Sequence, residues 1–226
     1  DKKNIKPLPN LDYKIVCGNS LMGVEKNLFN EKLFTELEKI KPLYLNETNP
    51  TRKQQYKNQI DGLISKITNG HSDFDFEVYF SEVLHENGGF DVVIANPPYV
   101  RVQNLEHQVI DSYKRKWETA WKRIDVSTLF IELGYSLLSK KGYSCIISSN
   151  QFITTEYGRM LRKFILQKKA LEMVIDFADL PVFEALTYVS IFLFSKSSKE
   201  YFNYYKVTKL PFNITNDFLK ISILSL

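Results

Sequence analysis

Short apolar runs and longer segments of helical periodicity alternate along this chain. The apolar runs predict strands at 12–17, 90–95, 143–148, 171–177 and 187–194, and a possible edge strand at 201–207. Apolar residues three and four positions apart predict helices over 127–140, with Gly142 as its C-cap, and over 156–169. This alternation indicates a three-layer α/β sheet. The last strands follow one another without helices, which predicts an antiparallel hairpin at one edge.

Residues 25–69 interrupt the alternation with a polar segment rich in Lys and Glu. Its apolar residues recur at helical spacing, and they are Leu28, Phe29, Leu33, Phe34, Leu37 and Ile40, then Tyr56, Ile60, Leu63, Ile64 and Ile67. The stretch NETNP at 46–50 breaks the pattern. We therefore expect a helical hairpin inserted between two strands, followed by a loop-rich approach over 70–89.

The predicted strand at 90–95 runs directly into Asn96-Pro97-Pro98-Tyr99. Its apolar run predicts a strand covered on both faces. Each proline fixes its own φ and lacks a donor, and a residue that precedes proline is held extended. The motif thus sets an amide and an aromatic ring on a rigid step at the carboxyl end of a strand, where α/β sheets bind ligands. The alternative interpretation is a plain stop between strand and loop.

The chemistry of this motif suits an amino group on a planar ring or amide. Such a nitrogen is a poor nucleophile because its lone pair is delocalised, and it carries two N–H donors. The Asn96 side-chain oxygen and the Pro97 carbonyl can each accept one of them, which favours a more tetrahedral nitrogen. Tyr99 offers a flat face on which a base taken out of its helix can stack. With an activated methyl group as electrophile, no strong general base is needed.

Composition narrows the class of protein. The 226 residues, 44% of them hydrophobic, suffice for one large or two small domains with a core. No apolar run is long enough for a membrane span, and the net charge of +4 is compatible with nucleic acid without requiring it. Cys17 and Cys145 lie in apolar runs, which predicts buried free thiols in a reducing compartment. No Cys/His spacing indicates a structural metal.

The motif and its surroundings resemble a known family. Three stretches resemble, in order, the adenine-specific DNA methyltransferase region of restriction–modification enzymes, most closely of the fused (type IIG-like) kind: FEVYFSEVLHENGGFDVVIANPPYVR, RIDVSTLFIELGYSLLSKKGYSCIISSNQF and DFADLPVFEALTYVSIFLF. The resemblance covers roughly residues 10–196. It implies a partial Rossmann-like fold that uses S-adenosylmethionine, a duplex DNA partner and a place in the bacterial cytoplasm. Residues 1–198 would form the partial catalytic domain, and 199–226 a last edge strand and the start of a linker toward a target-recognition region.

The resemblance also implies roles for single residues. Asn96 and Pro97, with Pro98 in the same motif, would hold the target amine, and Tyr99 would stack on the flipped adenine. Phe183 matches a second aromatic residue that packs against the base. Asn19 and Asp125 match positions near the cofactor. The basic residues that follow the motif would contact the DNA backbone, and they are Lys114, Arg115, Lys116, Lys122 and Arg123.

Each role has a simpler alternative. Phe183 could be a core residue, Asn19 could shape a turn, and Asp125 could be a favourable acid at a helix N-terminus. The basic run could be a solvated helix face. The same motif also serves methylation of protein glutamine or of ribosomal RNA, but the insertion and the flanking stretches favour DNA.

The cofactor half of the resemblance is incomplete. The family's glycine-rich loop, and the acidic residue that holds the cofactor ribose, should both precede Asn19, and the nine glycines of this chain form no Gly-x-Gly loop. We therefore expect a fragment that retains the target-base half of the site. The last alternative is a DNA-binding remnant without catalysis.

Overall fold

A computed structural model describes residues 12–25, 27, 30–99, 105–184, 188–211 and 218–225. The chain divides into two compact units, residues 1–82 and 83–226. Leu28 and Phe29 of the predicted hairpin, and Thr187 of a predicted strand, lie outside the described residues.

Two helices dominate the first unit, α1 (Glu31–Asn46) and α2 (Pro50–Ile67). Asn49 lies between the two helices and is the N-cap of α2. Its side-chain oxygen accepts hydrogen bonds from the Thr51 and Arg52 amides at 3.0 and 3.2 Å. The helices enclose a core made of Phe34, Leu37, Ile40, Tyr44, Ile60, Leu63, Ile64, Ile67, Phe74, Val78 and Tyr79. The two predicted helices are confirmed, but among the described residues no strand precedes them.

Three predictions near this hairpin are wrong. Residues 12–15 form turns instead of a strand, because Tyr13 takes a left-handed φ of 63° that extended backbone does not allow. Ile15 is 79% exposed, and Cys17 is exposed rather than buried. The stretch predicted as loop contains helix α3 (Phe76–Glu86). A kink at Phe80 interrupts its periodicity, which hides the helix from pattern analysis.

The second unit is built on a six-stranded mixed sheet. Its strands are β1 (Phe90–Ala95), β2 (Leu138–Ser149), β3 (Leu171–Asp176), β4 (Val189–Ser195), β5 (Tyr201–Lys206) and β6 (Leu219–Ser222). Their order is β1-β2-β4-β3-β5-β6. Strand β4 is antiparallel to both neighbours, whereas β1–β2 and β3–β5 are parallel pairs. The predicted α/β class is confirmed.

The predicted strands at 171–177 and 187–194 do pair antiparallel, as β3 and β4, but inside the sheet rather than at its edge. The antiparallel pair at the edge consists of β5 and β6, and β6 was not predicted. Strand β5 was predicted as an edge strand, but β6 lies outside it. Strand β4 runs between β2 and β3 and pairs with both over most of its length. This central place suits the buried side chains of Phe192 and Phe194.

Helices α4 (His107–Lys116), α5 (Val126–Ser136) and α6 (Arg159–Lys168) complete this unit. Its main core contains Ile131, Ile146, Phe152, Leu161, Phe164, Ile165, Leu171, Val174, Phe192, Phe194 and Phe202. The prediction that Gly142 caps the helix is wrong, because α5 ends at Ser136 and Gly142 lies within β2. A Cβ atom at Gly142 would lie 2.4 Å from the Phe90 carbonyl oxygen, so close approach of β1 explains the glycine.

Strand β1 occurs where it was predicted, but it is not covered on both faces. It lies at the edge of the sheet and pairs with β2 alone among the described strands. Val92 and Ile94 are 60% and 79% exposed. Apolar composition correctly predicted the strand, but burial depends on which elements lie beside it. The second cysteine, Cys145 on β2, is half-buried for a related reason, since it pairs with this exposed strand.

Candidate functional site

The carboxyl ends of four strands lie along one side of the sheet, at the ends of the strands rather than beside the outermost strand. This side is called the carboxyl edge. Strands β1, β2, β3 and β5 run in one direction, and β4 runs in the other. The residues that follow β1, β2 and β3 therefore share this edge with the segment that leads into β4. The edge thus brings together the Asn96 motif, Asn150, Asp176 and the loop that carries Phe183, in the position where α/β sheets bind ligands.

The Asn96-Pro97-Pro98-Tyr99 motif directly follows Ala95, the last residue of β1. Asn96 and Pro98 are exposed and Pro97 is buried. Ala95 pairs with Ile146 of β2, so the motif begins where the parallel pairing ends. The prolines thus hold the amide of Asn96 outside the sheet, facing solvent, on backbone that is anchored through Pro97.

Tyr99 and Phe183 form an aromatic pair at this edge. Their ring centroids are 6.3 Å apart and their planes are inclined by 55°. The Tyr99 hydroxyl is buried and has no hydrogen-bond partner within the part of the chain that the structure describes. Burial raises the pKa of Tyr99, so the phenol is neutral at physiological pH. The structure therefore brings together two residues that are 84 positions apart and were predicted to act on one base.

Phe183 sits on a loop that one backbone hydrogen bond joins to β4 and another holds internally. The Phe177 amide donates to the Val189 carbonyl at 3.1 Å, and the Val182 amide donates to the Leu180 carbonyl at 2.9 Å. Phe183 itself is 38% exposed, more than a plain core role accounts for.

Asp176, at the end of β3, is the centre of a hydrogen-bond network that the sequence analysis missed. Its Oδ1 accepts from Asn150 Nδ2 at 3.0 Å, Ser190 Oγ at 2.9 Å and the Ala178 amide at 3.0 Å. Its Oδ2 accepts from the Tyr204 hydroxyl at 2.7 Å. Burial alone would raise the pKa of Asp176, but these bonds outweigh it and hold the pKa below the usual value. The available signal was positional: in LEMVIDF an acid, Asp176, follows the apolar residues Met173, Val174 and Ile175 near the end of the predicted strand.

Asn19 and Asp125, the two predicted cofactor residues, are both used in local structure. The Asn19 side-chain oxygen accepts the Leu21 amide at 3.1 Å, which forms a turn. Asp125 caps α5, and its Oδ1 accepts the Ser127 amide at 2.9 Å and the Ser127 hydroxyl at 2.6 Å. Asn19 belongs to the first unit and Asp125 to the second. Their cofactor roles stay predictions.

The five basic residues predicted to contact DNA are all exposed. Lys114, Arg115 and Lys116 form the last turn of α4. Lys122 and Arg123 lie between α4 and α5, where the Lys122 ammonium is 4.4 Å from the centre of the Trp121 ring. The structure adds exposed Arg159, whose guanidinium carbon lies 5.6 Å from the centre of the same ring.

Lys122 is partly neutralised by Glu156. The ammonium and carboxylate are 2.6 Å apart, and this bond holds the pKa of Glu156 below its usual range. Both residues are well exposed, so the pair adds little to stability. Sequence analysis could not find this cluster, because Trp121 and Arg159 are 38 positions apart and only the fold brings them together.

Glu132 of α5 holds the backbone that precedes Trp121. Its two carboxylate oxygens accept the Glu118 and Thr119 amides at 3.0 and 2.9 Å. Only 8% of Glu132 is exposed. A buried carboxylate thus fixes the start of the segment that carries Trp121, Lys122 and Arg123.

The described residues form neither a metal-binding cluster nor a membrane-spanning helix. No cluster of three or more His, Cys, Asp or Glu side chains in this part of the chain could hold a metal ion. None of the described helices has the length and apolar character that a membrane span requires.

Comparison with known proteins gives a family match over most of the chain. The model of the family described as Eco57I restriction-modification methylase matches residues 15–183. The type II restriction enzyme and methyltransferase RM.Eco57I of Escherichia coli is 34% identical over 125 residues, which are 54% of this chain and 12% of that protein. The type II methyltransferase M.BstVI of Geobacillus stearothermophilus is 36% identical over 95 residues, 42% of this chain and 17% of that protein. The matches therefore span less than a fifth of these relatives.

Solved structures that match part of this chain include a type IIG restriction endonuclease and a type IIL restriction-modification enzyme. The type IIG restriction endonuclease BpuSI matches 81% of this chain and 27% of its own, with a TM-score of 0.45 and 15% identity. The type IIL restriction-modification enzyme MmeI, solved in complex with DNA, matches 73% of this chain and 24% of its own, with a TM-score of 0.46 and 12% identity.

Proposed function

Because this chain belongs to the Eco57I restriction-modification methylase family, we propose that it carries the target-base half of an adenine-specific DNA methyltransferase. In this proposal a methyl group passes from S-adenosylmethionine to the exocyclic amine of an adenine flipped out of duplex DNA. The observation that carries the proposal is the Asn96-Pro97-Pro98-Tyr99 motif at the carboxyl end of β1, with Phe183 facing Tyr99 at 6.3 Å.

Asn96 and Pro97 act on the target amine. The Asn96 side-chain oxygen and the Pro97 carbonyl accept the two N–H bonds of the amine, which withdraws the nitrogen lone pair from the ring and directs it at the methyl donor. Asn96 is exposed at the end of β1 and can reach a substrate. Pro97 is buried, which keeps its own carbonyl group in place. The proton released from the amine goes to solvent once the nitrogen carries the methyl group.

Tyr99 and Phe183 hold the base. Rings 6.3 Å apart and inclined by 55° can present one face and one edge to a planar ligand after a small adjustment. Stacking a base on an aromatic side chain contributes about 1–3 kcal/mol, which offsets part of the cost of unstacking it from the duplex.

The described residues do not form a complete cofactor site. Asn19 and Asp125 each use a side-chain oxygen in a local turn or cap, and no Gly-x-Gly loop occurs in these 226 residues. S-adenosylmethionine, when bound, would supply an activated methyl group. The chain's own residues are assigned only the binding and activation of the target amine.

The exposed basic residues suit the backbone of the DNA. Lys114, Arg115 and Lys116 on α4, together with Lys122 and Arg123, present five cations on the polypeptide that links the motif to α5. Each phosphate neutralised by such a residue releases counterions, so binding through them weakens as salt rises. Arg159 and Trp121 extend this basic surface.

The test is methyl transfer from labelled S-adenosylmethionine to duplex DNA by the complete natural protein that contains this chain. The labelled nucleosides are separated to identify the methylated base. We expect N6-methyladenine, abolished by Asn96→Ala and weakened by Tyr99→Ala. Asn58→Ala, which removes an exposed amide from α2, is the matched control and retains full activity.

Other outcomes would correct the proposal in defined ways. Methylation of cytosine would agree with the proposed chemistry at an amine but would contradict adenine specificity. Label in RNA or in protein glutamine would move the function to the other users of this motif. An active Asn96→Ala variant would remove the motif from the mechanism, and a folded protein without any transfer would leave a DNA-binding remnant.

A further inference from the structure

Asp176 joins four separate segments at the edge that carries the motif. Asn150 follows β2, Ser190 is the second residue of β4 and Tyr204 lies on β5, while Ala178 opens the loop to Phe183. One carboxylate thus links all the neighbouring strands to the Phe183 loop. None of the family positions assigned above includes it.

The Phe183 loop depends on this carboxylate at its first turn. Ala178 has a left-handed φ of 50°, a conformation that is unfavourable for a residue with a Cβ atom. The bond from the Ala178 amide to Asp176 Oδ1 stabilises this turn. Two further backbone bonds, from Leu180 to Phe177 and from Val182 to Leu180, continue the ordered path up to Phe183.

The other end of β3 offers a comparison. Glu172 accepts hydrogen bonds from Ser195 and Ser197 and lies 3.4 Å from the Lys199 ammonium. This second carboxylate network has similar composition but lies at the amino end of the strand, away from the motif. If Asp176 and Glu172 only stabilised the sheet, replacing either of them should affect the protein in the same way.

We propose that Asp176 is the positioning residue of the base-binding site: it fixes the turn at Ala178 and thereby holds Phe183 opposite Tyr99. The effect of Asp176 on catalysis rests on the proposed function. Its effect on the position of Phe183 does not. Asp176 touches no substrate in this arrangement. Its effect reaches the base through the loop.

The test compares Asp176→Ala and Asp176→Asn with the matched control Glu172→Ala, all in the complete natural protein. Hydrogen exchange of the amides in 177–184 measures the loop directly. Steady-state kinetics with DNA and labelled S-adenosylmethionine measure its consequence. The Asn variant keeps a carbonyl oxygen that can still accept the Ala178 amide, so it serves as the conservative rescue.

We expect Asp176→Ala to speed exchange in 177–184 by about tenfold, since one hydrogen bond at the turn is lost. Its kcat should fall on the order of 10²-fold, the cost of a poorly placed reacting group, while KM for S-adenosylmethionine stays within about twofold. Asp176→Asn should recover most of both losses. Glu172→Ala should change neither.

Unchanged exchange in 177–184 for Asp176→Ala would overturn the proposal, as would equal kinetic losses in Asp176→Ala and Glu172→Ala. If the unmodified protein transfers no methyl group, the proposed function fails, and the exchange experiment alone then decides the positioning role. Faster exchange confined to Asp176→Ala would support it in that case too.

Discussion

Replacing Glu132 by Ala should destabilise the segment that carries Trp121 and the basic residues Lys122 and Arg123. The Glu132 carboxylate is the acceptor for two backbone amides, those of Glu118 and Thr119, at 3.0 and 2.9 Å. The alanine variant removes both acceptors at once and leaves the turn without its anchor on α5.

The magnitude follows from the burial of the two donors. Thr119 is 1% exposed, so its amide loses a charge-assisted bond and gains no water, whereas Glu118 is exposed and its amide can be solvated. An unsatisfied buried amide costs about 1–3 kcal/mol, and the second bond adds less, so we expect a total loss of about 2–4 kcal/mol. Glu132→Gln keeps one acceptor oxygen and should lose roughly half of that.

The natural fluorescence of the chain suits this measurement. Its two tryptophans, Trp117 and Trp121, both lie in or beside the segment that Glu132 anchors. Urea unfolding followed by tryptophan emission therefore reports on this region, and far-ultraviolet circular dichroism reports on the whole chain. The matched control is Ser136→Ala, an exposed position on the same helix, which should stay within about 0.5 kcal/mol of the parent.

An unfolding midpoint for Glu132→Ala equal to that of Ser136→Ala would refute the reasoning, because it would mean that the two bonds add nothing to stability. If the anchor also orders the basic surface, the alanine variant should bind duplex DNA more weakly at low salt, and the difference should shrink as salt rises.

Three further outcomes follow from single positions. Gly158→Ala should lower stability by about 1–3 kcal/mol or more in urea unfolding, because its Cβ would lie 1.9 Å from the Phe152 carbonyl oxygen and backbone must move. Gly62→Ala should instead raise stability by about 0.5–1 kcal/mol, since its Cβ meets nothing within 4 Å on α2, and an unchanged or lower midpoint would contradict this. The pKa of Asp176 is lower in the folded chain than in the unfolded one, so its contribution is present above the unfolded pKa and is lost as the pH falls through the folded pKa. The free energy of unfolding should therefore fall less steeply with decreasing pH in Asp176→Asn than in the parent chain. Equal slopes in the acid range would contradict the assignment.

Local sequence was sufficient for much of the candidate site. The strand at 90–95 and the proline step after it are encoded by adjacent residues, since an apolar run favours extended backbone and proline restricts φ regardless of the surroundings. The same holds for the helical hairpin, where apolar spacing and the Asn49 cap act within a few residues. Both features depend mainly on residues that are close together in the sequence.

The pairing of strands that are distant along the chain could not be predicted from the sequence. Asp176 is linked to Asn150, 26 positions before it, and to Tyr204, 28 positions after it. The first link depends on β4 lying between β2 and β3, and the second depends on the parallel pairing of β3 with β5. Nothing in the spacing of apolar residues encodes which strands become neighbours, because each strand offers the same hydrogen-bonding groups along both edges.

The sequence by itself therefore determined the chemistry, namely an amide and two aromatic rings suited to a planar amine, because those properties belong to single side chains. Only the tertiary structure decided the geometry: Phe183 lies 6.3 Å from Tyr99, and Ile94 on the edge strand β1 is 79% exposed. The physical reason is that burial and contact are set by neighbours distant along the chain, whereas backbone preference and functional-group chemistry are local.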